Sequence, residues 1–318
     1  MIKVLVTGAA GFVGSNLSER LLKEGYFIFG IDNVITGTNE NIERLKKYRN
    51  FEFIKGDIVN LDGTSLAKLT ARRFDQVYHL ACPTGVPNLV TLSEEMLLAC
   101  SIGTRNILEI ARNSKAKFIL SSSSEVYGDP LVFPQREDYT GNVDITGIRS
   151  PYEEGKRFAE SLTVMYVRRY NLDGKIVRIF NTYGPNMNPK DERVVPKFLQ
   201  QIKEGRPLSV HGEGKQRRTY LHVDDLVDGL TLVMEKGEKG QVYNIGSQEE
   251  IQVRELARLV IDLSGTSGAV HNIEGLSHDH KARLPDTTKL ASLGWSPKIT
   301  LRRGLAKIFA EELQPQKG

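Results

Sequence analysis

In roughly the first 180 residues, six short and almost wholly apolar runs, at 2–6, 27–31, 51–54, 76–80, 117–120 and 175–179, are separated by longer stretches with helical patterning. A strand with one wet face alternates apolar and polar residues, whereas a strand covered on both faces stays apolar throughout. These runs therefore predict an α/β fold, a doubly wound parallel sheet of the Rossmann type with helices on both faces. Beyond residue 179 the rhythm loosens. An Asn-, Pro- and Gly-rich stretch at 181–191 precedes a helix expected over 194–203, a strand at 208–210, a helix at 224–234, a strand at 241–245, and helices at 253–264 and 301–313. The expected division is a dinucleotide-binding domain over 1–180, with later additions from about 215–248, and a smaller substrate domain drawn mainly from 181–318.

Composition narrows the function classes. The 318 residues are 40% hydrophobic and 26% charged, which excludes a disordered or fibrous chain. The 43 Lys+Arg and 39 Asp+Glu leave a net charge of +4, spread without a block of like charge, so a nucleic-acid partner is not expected. No apolar run reaches the ~18 residues of a membrane span, and the amino terminus enters a strand at once. The two cysteines, Cys82 and Cys100, have neither metal-knuckle nor disulfide-framework spacing. They are expected as small unpaired core residues of a cytoplasmic protein.

Directly after the first run comes Thr7-Gly8-Ala9-Ala10-Gly11-Phe12-Val13-Gly14, opening a helix that continues to about Lys23. Gly8 suits the tight turn, Gly11 the approach of a pyrophosphate, and Gly14 the packing of helix on sheet, with Phe12 and Val13 in the first helical turn. Asp32 ends the second run eighteen residues after Gly14, where a carboxylate accepts hydrogen bonds from an adenosine ribose. No arginine follows in Asn33-Val34-Ile35-Thr36-Gly37-Thr38 to neutralise a 2′-phosphate, so NAD is expected rather than NADP. Asp57 and Ile58 after the third run and Leu80 after the fourth complete the candidate cofactor residues.

Ser150-Pro151-Tyr152-Glu153 reads as a helix start, with Ser150 as cap, Pro151 at the first position and Glu153 closing a capping box. Tyr152 and Lys156 then share one helix face, where the ammonium lowers the phenol pKa for proton abstraction. The fifth run leads into Ser121-Ser122-Ser123-Ser124-Glu125-Val126-Tyr127-Gly128, which sets hydroxyls and a carboxylate at the sheet edge where such folds bind ligands.

On Gly8, Gly11, Gly14, Ser123, Tyr152 and Lys156 the chain resembles the extended short-chain dehydrogenase/reductase family that modifies nucleotide sugars, over nearly its whole length. Ser124 to Pro130, Gly141-Asn142-Val143, Arg149 to Arg157, Arg178 to Pro185, Arg193-Val194-Val195 and Gly212 to Arg218 are most similar to the UDP-glucuronate decarboxylases. The resemblance implies an NAD-dependent carboxy-lyase. Tyr152 would be the base, Lys156 its tuner and Ser123 the residue that orients the sugar, with Ser124 and Glu125 managing proton return. Arg218 would be the catalytic arginine. Asn181, Arg193, Val194, Arg218 and Arg283 would contact the UDP-sugar, with Arg283 at phosphate. It also implies a homodimer paired through helices around 94–113 and 152–170. The chemistry is consistent: oxidising C4 of a hexuronic acid makes a ketone beta to the carboxylate, which readily loses CO2, and the stored hydride then reduces C4.

Other outcomes share that first step. A 4,6-dehydratase has an aspartate where Ser124 stands, and a 4-epimerase needs only rotation of the keto sugar; a non-catalytic dinucleotide sensor is the third alternative. Leu89 stands where the decarboxylases carry tyrosine, Thr140 where they carry tryptophan, and Cys100 where they carry asparagine. No metal site is expected: His278 and His280 read as a solvated loop, and His79 and His222 as structural. Arg217 is either a phosphate contact or an exposed charge.

Overall fold

The computed structural model describes residues 1–85, 87–188, 190–275 and 282–312. Strands β1 (Lys3–Thr7), β2 (Phe27–Asp32), β3 (Phe51–Lys55), β4 (Gln76–His79), β5 (Lys117–Ser123) and β6 (Gly174–Ile179) come first. They are followed by β7 (Thr182–Tyr183), β8 (Leu208–His211), β9 (Arg217–Thr219), β10 (Leu221–His222), β11 (Val242–Ile245), β12 (Glu250–Gln252) and β13 (Val270–Ile273). One seven-stranded sheet has the order β11-β6-β5-β4-β1-β2-β3, and all its pairings are parallel. The order reverses between β1 and β4, and a crevice opens at the carboxyl ends of strands at such a point.

The helices are α1 (Phe12–Lys23), α2 (Asn39–Lys46), α3 (Gly63–Ala71), α4 (Asn88–Thr91), α5 (Ser93–Leu98), α6 (Thr104–Ser114), α7 (Ser150–Tyr170), α8 (Val194–Lys203), α9 (Val223–Lys236), α10 (Val253–Ser264), α11 (Thr288–Ala291) and α12 (Leu301–Glu312). Successive residues of one strand enter different cores. Val4 and Val6 join Leu17 and Leu21 of α1 and Leu226 and Leu230 of α9, while Leu5 joins Leu69 of α3 and Ile107 and Leu108 of α6. This two-sided burial is why the runs are apolar throughout. A third core lies outside the sheet, where α8, α10 and α12 close over β8 and β13 through Phe198, Val210, Leu256, Val260 and Leu305. Strand β11 and helix α9 return from the second half of the chain to the main sheet.

Two local expectations change. Strand β5 runs on past Leu120 through three serines, because Ser121, Ser122 and Ser123 keep their ladder to Val177, Arg178 and Ile179 of β6. Helix α7 begins at Ser150 with Arg149 as its cap residue, so Ser150 is inside the helix and the capping box does not form. Glu153 is buried and takes the Arg149 guanidinium at 3.2 Å, an ion pair stronger than the bond to a cap amide that it replaces. The helix expected over 301–313 is observed to Glu312, and Leu313 lies outside the described residues, as do His278 and His280. No helix among the described residues is long and apolar enough to cross a membrane.

Candidate active site

The turn after β1 is shaped by what glycine lacks. Gly8 has φ +74°, and a Cβ on it would meet the Ala81 main chain at 3.0 Å. A Cβ on Gly14 would lie 2.0 Å from the Gly8 carbonyl oxygen. The chain therefore folds tightly between β1 and β4, and α1 sits close on the turn. Gly11 caps α1 without a side-chain bond, and no acidic residue stands in the first turn, so no carboxylate of the helix itself competes for its first amides. That is the condition a bound pyrophosphate requires. Phe12 and Val13 pack partly buried against the core under the turn.

Asp32 ends β2 with Oδ2 accepting from the Ala10 amide at 2.9 Å and Oδ1 from the Val34 amide at 2.7 Å. Burial pushes its pKa up, while these amides and that of Gly11 pull it down. The carboxylate is thus aimed along the turn with lone pairs left for a ribose hydroxyl. Asn33 reaches Asp57 at 3.4 Å, which brings two of the candidate adenosine residues together. The Ile58 side chain is buried against Gly103, and its carbonyl accepts from Asn106 at 2.8 Å, so it supports this corner from below. Leu80 is half-buried, its amide 3.1 Å from the Thr7 hydroxyl. These features fit NAD: an open helix terminus for the diphosphate and a main-chain-held acid for the ribose.

At the carboxyl end of β5 the catalytic candidates converge. The Ser123 side chain lies near enough to the Tyr152 phenol to draw its pKa down. Lys156 is 4% exposed and donates to the Ser121 carbonyl at 2.9 Å, its Nζ 5.8 Å from the centre of the Tyr152 ring. Burial raises the Tyr152 phenol to about 12, with Lys156 and Ser123 working against it. Glu125 follows in a 3-10 turn, its amide held by the Ser123 hydroxyl at 3.2 Å. Its carboxylate lies between two guanidiniums, hydrogen-bonded by Arg149 and 3.1 Å from Arg283. Arg283 is 3% exposed and also donates to the carbonyls of Ser124 and, at 3.2 Å, Gly128. Burial lowers its pKa, and the charges of Arg149 and Arg218 act in the same direction, so Arg218 lies within electrostatic reach.

The structure thus gathers Ser123, Ser124, Glu125, Tyr152, Lys156 and Arg283 around one point, with Arg218 on β9 nearby. Arg283, expected at a phosphate, is held by Glu125. Asn181 follows β6, its carbonyl accepting from Leu221 at 2.9 Å. Arg193, at the cap of α8, spends its guanidinium on Asp191, with Nε 3.0 Å from both carboxylate oxygens. Val194 opens α8 half-buried. His79 is buried, with Nδ1 2.8 Å from the Thr7 hydroxyl and Nε2 3.0 Å from that of Thr104. His222 caps α9. Arg149 is a site residue the sequence reading missed. The available signal was its position before the tyrosine helix, four residues from Glu153.

Residues 4–246 match the NAD dependent epimerase/dehydratase family. The chain belongs to that family. The relatives it resembles carry more than one activity. It is 42% identical over 306 residues to UDP-glucuronic acid decarboxylase 4 of Arabidopsis thaliana, covering 96% of this chain and 67% of that one. It is 38% identical over 318 residues to UDP-glucuronic acid decarboxylase 1 of Xenopus tropicalis, covering 99% and 73%. Among solved structures it superposes on UDP-glucuronic acid 4-epimerase of Bacillus cereus, crystallised with NAD and a fluorinated UDP-glucuronic acid, with a TM-score of 0.88 and 31% identity, covering 98% and 100%. UDP-glucose 4-epimerase of Thermotoga maritima superposes with a TM-score of 0.88 and 30% identity, covering 98% and 100%.

Proposed function

We propose that this chain is an NAD-dependent UDP-glucuronate decarboxylase that releases CO2 and yields UDP-xylose. The observation that carries the reading is Glu125, a carboxylate kept in place by Arg149 and Arg283 next to the Ser123, Tyr152 and Lys156 group. Redox cycling at C4 needs only that group, so a second anchored acid has work to do where a further proton must be delivered. NAD, when bound, accepts the hydride of C4 and returns it. Tyr152 takes the proton of the C4 hydroxyl, with Ser123 orienting that oxygen and the Lys156 ammonium stabilising the phenolate. The ketone makes the adjacent C5–carboxylate bond labile; CO2 leaves and the electron pair passes to the C4 oxygen as an enolate, to which Tyr152 donates its proton. C5 takes a proton from a water that Glu125 orients, the enol oxygen returns its proton to Tyr152, and the ketone re-forms for the returned hydride. Arg218 brings a fixed positive charge to the substrate carboxylate and its anionic successor. Ser124 stands where a dehydratase carries an acid, and a hydroxyl is too weak an acid to expel the C6 hydroxyl.

In this reading residues 1–180 with β11 and α9 hold the cofactor, and the remainder of the second half holds the UDP, with Asn181 and Val194 and with Arg193 once the nucleotide draws it from Asp191. The protein is a cytoplasmic homodimer; Leu97 and Ile102 near α5 and Phe158 and Met165 on α7 are exposed apolar residues that support pairing through these helices, and the two free thiols support the reducing compartment. The second reading, a UDP-glucuronate 4-epimerase, is favoured by the superposition on the Bacillus cereus enzyme. Incubation of UDP-glucuronate with the protein and NAD in D2O, read by NMR and mass, separates the two. A pentose product with deuterium at C5 supports decarboxylation; an isomer of unchanged mass overturns it in favour of epimerisation. UDP-glucose and dTDP-glucose serve as controls.

A further inference from the structure

The chain has two cysteines, eighteen residues apart in sequence, and the fold sets their sulfurs 3.6 Å from each other. Cys82 lies half-buried in the irregular segment after β4; Cys100 is buried in the π-helical turn Ala99–Gly103. Gly155 of α7 packs directly on Cys100, with a Cβ there only 3.4 Å from its sulfur. Tyr152, three residues before that contact, and Lys156, the residue after it, feel both thiols electrostatically. The thiol hydrogen bond from Cys82 draws the Cys100 pKa down to about 7 against the effect of burial, and the Lys156 ammonium adds to it. The two sulfurs thus share one proton beside a fixed ammonium, which favours a thiolate in the pair, and Cys82 is the less buried of the two.

We propose that Cys82 and Cys100 form a redox-active dithiol that a hydroperoxide closes to a disulfide beside Tyr152 and Lys156, switching turnover off. The thiolate of the pair attacks one peroxide oxygen, the O–O bond breaks, and a sulfenic acid and hydroxide result. The other sulfur then attacks the sulfenic sulfur; the S–O bond breaks, water leaves with that thiol's proton, and the S–S bond forms. Two thiols lose two electrons, and one peroxide is reduced to water. Closing the sulfurs from 3.6 Å to the ~2.0 Å of a disulfide moves one partner. The segment holding Cys82 has no regular structure, whereas Cys100 is locked under α7, so Cys82 moves. That segment carries Ala81, whose amide bonds Thr7 at 3.1 Å and whose main chain touches Gly8, so the displacement reaches the cofactor turn. Displacements of ~1 Å at a reacting centre cost on the order of a hundredfold in rate.

The effect on turnover rests on the function proposed above, but the chemistry of the pair does not. The test treats the purified full chain with hydrogen peroxide and follows intact mass, free thiols, linked peptides, NAD affinity and CO2 release from UDP-glucuronate, before and after dithiothreitol. The expected result is loss of two hydrogen masses, one peptide linking Cys82 to Cys100, and CO2 release and NAD affinity each reduced by about tenfold or more, all reversed by thiol. Cys82→Ser and Cys100→Ser proteins should form no linked peptide and keep their own starting NAD affinity through the same treatment. Thiols that survive peroxide, sulfinic acids, or disulfides only between chains overturn the dithiol. An internal disulfide with unchanged NAD affinity overturns the switch. If reduced protein releases no CO2, the decarboxylase reading fails while mass and NAD affinity still decide this one.

Discussion

Replacing Glu125 by glutamine tests the feature on which the functional reading turns. The carboxylate lies 3.1 Å from the Arg283 guanidinium, and the two side chains are 17% and 3% exposed. At that distance the gross attraction is ~5 kcal/mol for an effective dielectric of about 20. Glutamine keeps the volume and one acceptor oxygen, and Arg149 keeps Glu153 as a partner. Arg283, however, is left with two carbonyls and the more distant charge of Glu153, set against those of Arg149 and Arg218. Removing one member of a buried pair costs about 3–5 kcal/mol, and these residual bonds put Glu125→Gln near 3 kcal/mol. Urea unfolding of wild type and variant measures this directly, and the thermal midpoint should fall by roughly 5 °C or more. In single turnovers in D2O the CO2 should be released while UDP-xylose formation falls by about 10²–10⁴, the range for loss of an assisted proton transfer, with NADH and the enol of the keto sugar accumulating. A variant within about 0.5 kcal/mol of wild type that forms UDP-xylose at the normal rate refutes both the ion-pair account and the proton delivery.

Gly14→Ala places a methyl carbon 2.0 Å from the Gly8 carbonyl, so the turn must open; a loss of about 3 kcal/mol and NAD binding too weak to detect by calorimetry are expected, and normal NAD affinity would contradict the packing argument. Burial lowers the His79 pKa from 6.5 to about 3, so the neutral ring stabilises the fold fully above about pH 6.5 and this contribution is lost as pH falls towards 3. The difference amounts to on the order of 5 kcal/mol, and His79→Gln should flatten the acid side of the stability profile; an identical profile counts against it. Arg218→Met should spare C4 oxidation, seen as NADH absorbance in single turnovers, while CO2 release falls by about 10²-fold or more; unchanged release rejects its role.

Much of the fold was legible because its signals are local. The runs of Val4 to Val6 and Phe118 to Leu120 are apolar because helices cover both faces of the sheet, and no other placement buries alternate residues equally. The cofactor turn was legible through Gly8 and Gly14, whose missing side chains are a backbone requirement written within eight residues. Tyr152 and Lys156 were legible because one helical turn aligns them whatever lies around the helix. The capping box at Ser150 was misread since Glu153 had a stronger partner, Arg149, than the cap amide.

What a Tyr-x-x-x-Lys helix does chemically depends on groups that arrive from elsewhere. Glu125 takes Arg149 from 24 residues along the chain, but Arg283 reaches it and the Ser124 carbonyl, across 159 residues, only when the carboxyl-terminal segment pairs beside Gln135. Arg193 looked equally available in sequence, yet Asp191 holds it. Cys82 and Cys100 carry no spacing signal, and their sulfurs meet because β4 and the π-helical turn end at the same place under α7. Sequence by itself determined the elements and the backbone shape of the cofactor turn, since periodicity and φ are properties of neighbours along the chain. Tertiary structure decided the partners of each charge and thiol, since those energies depend on which distant segments packing forces into contact.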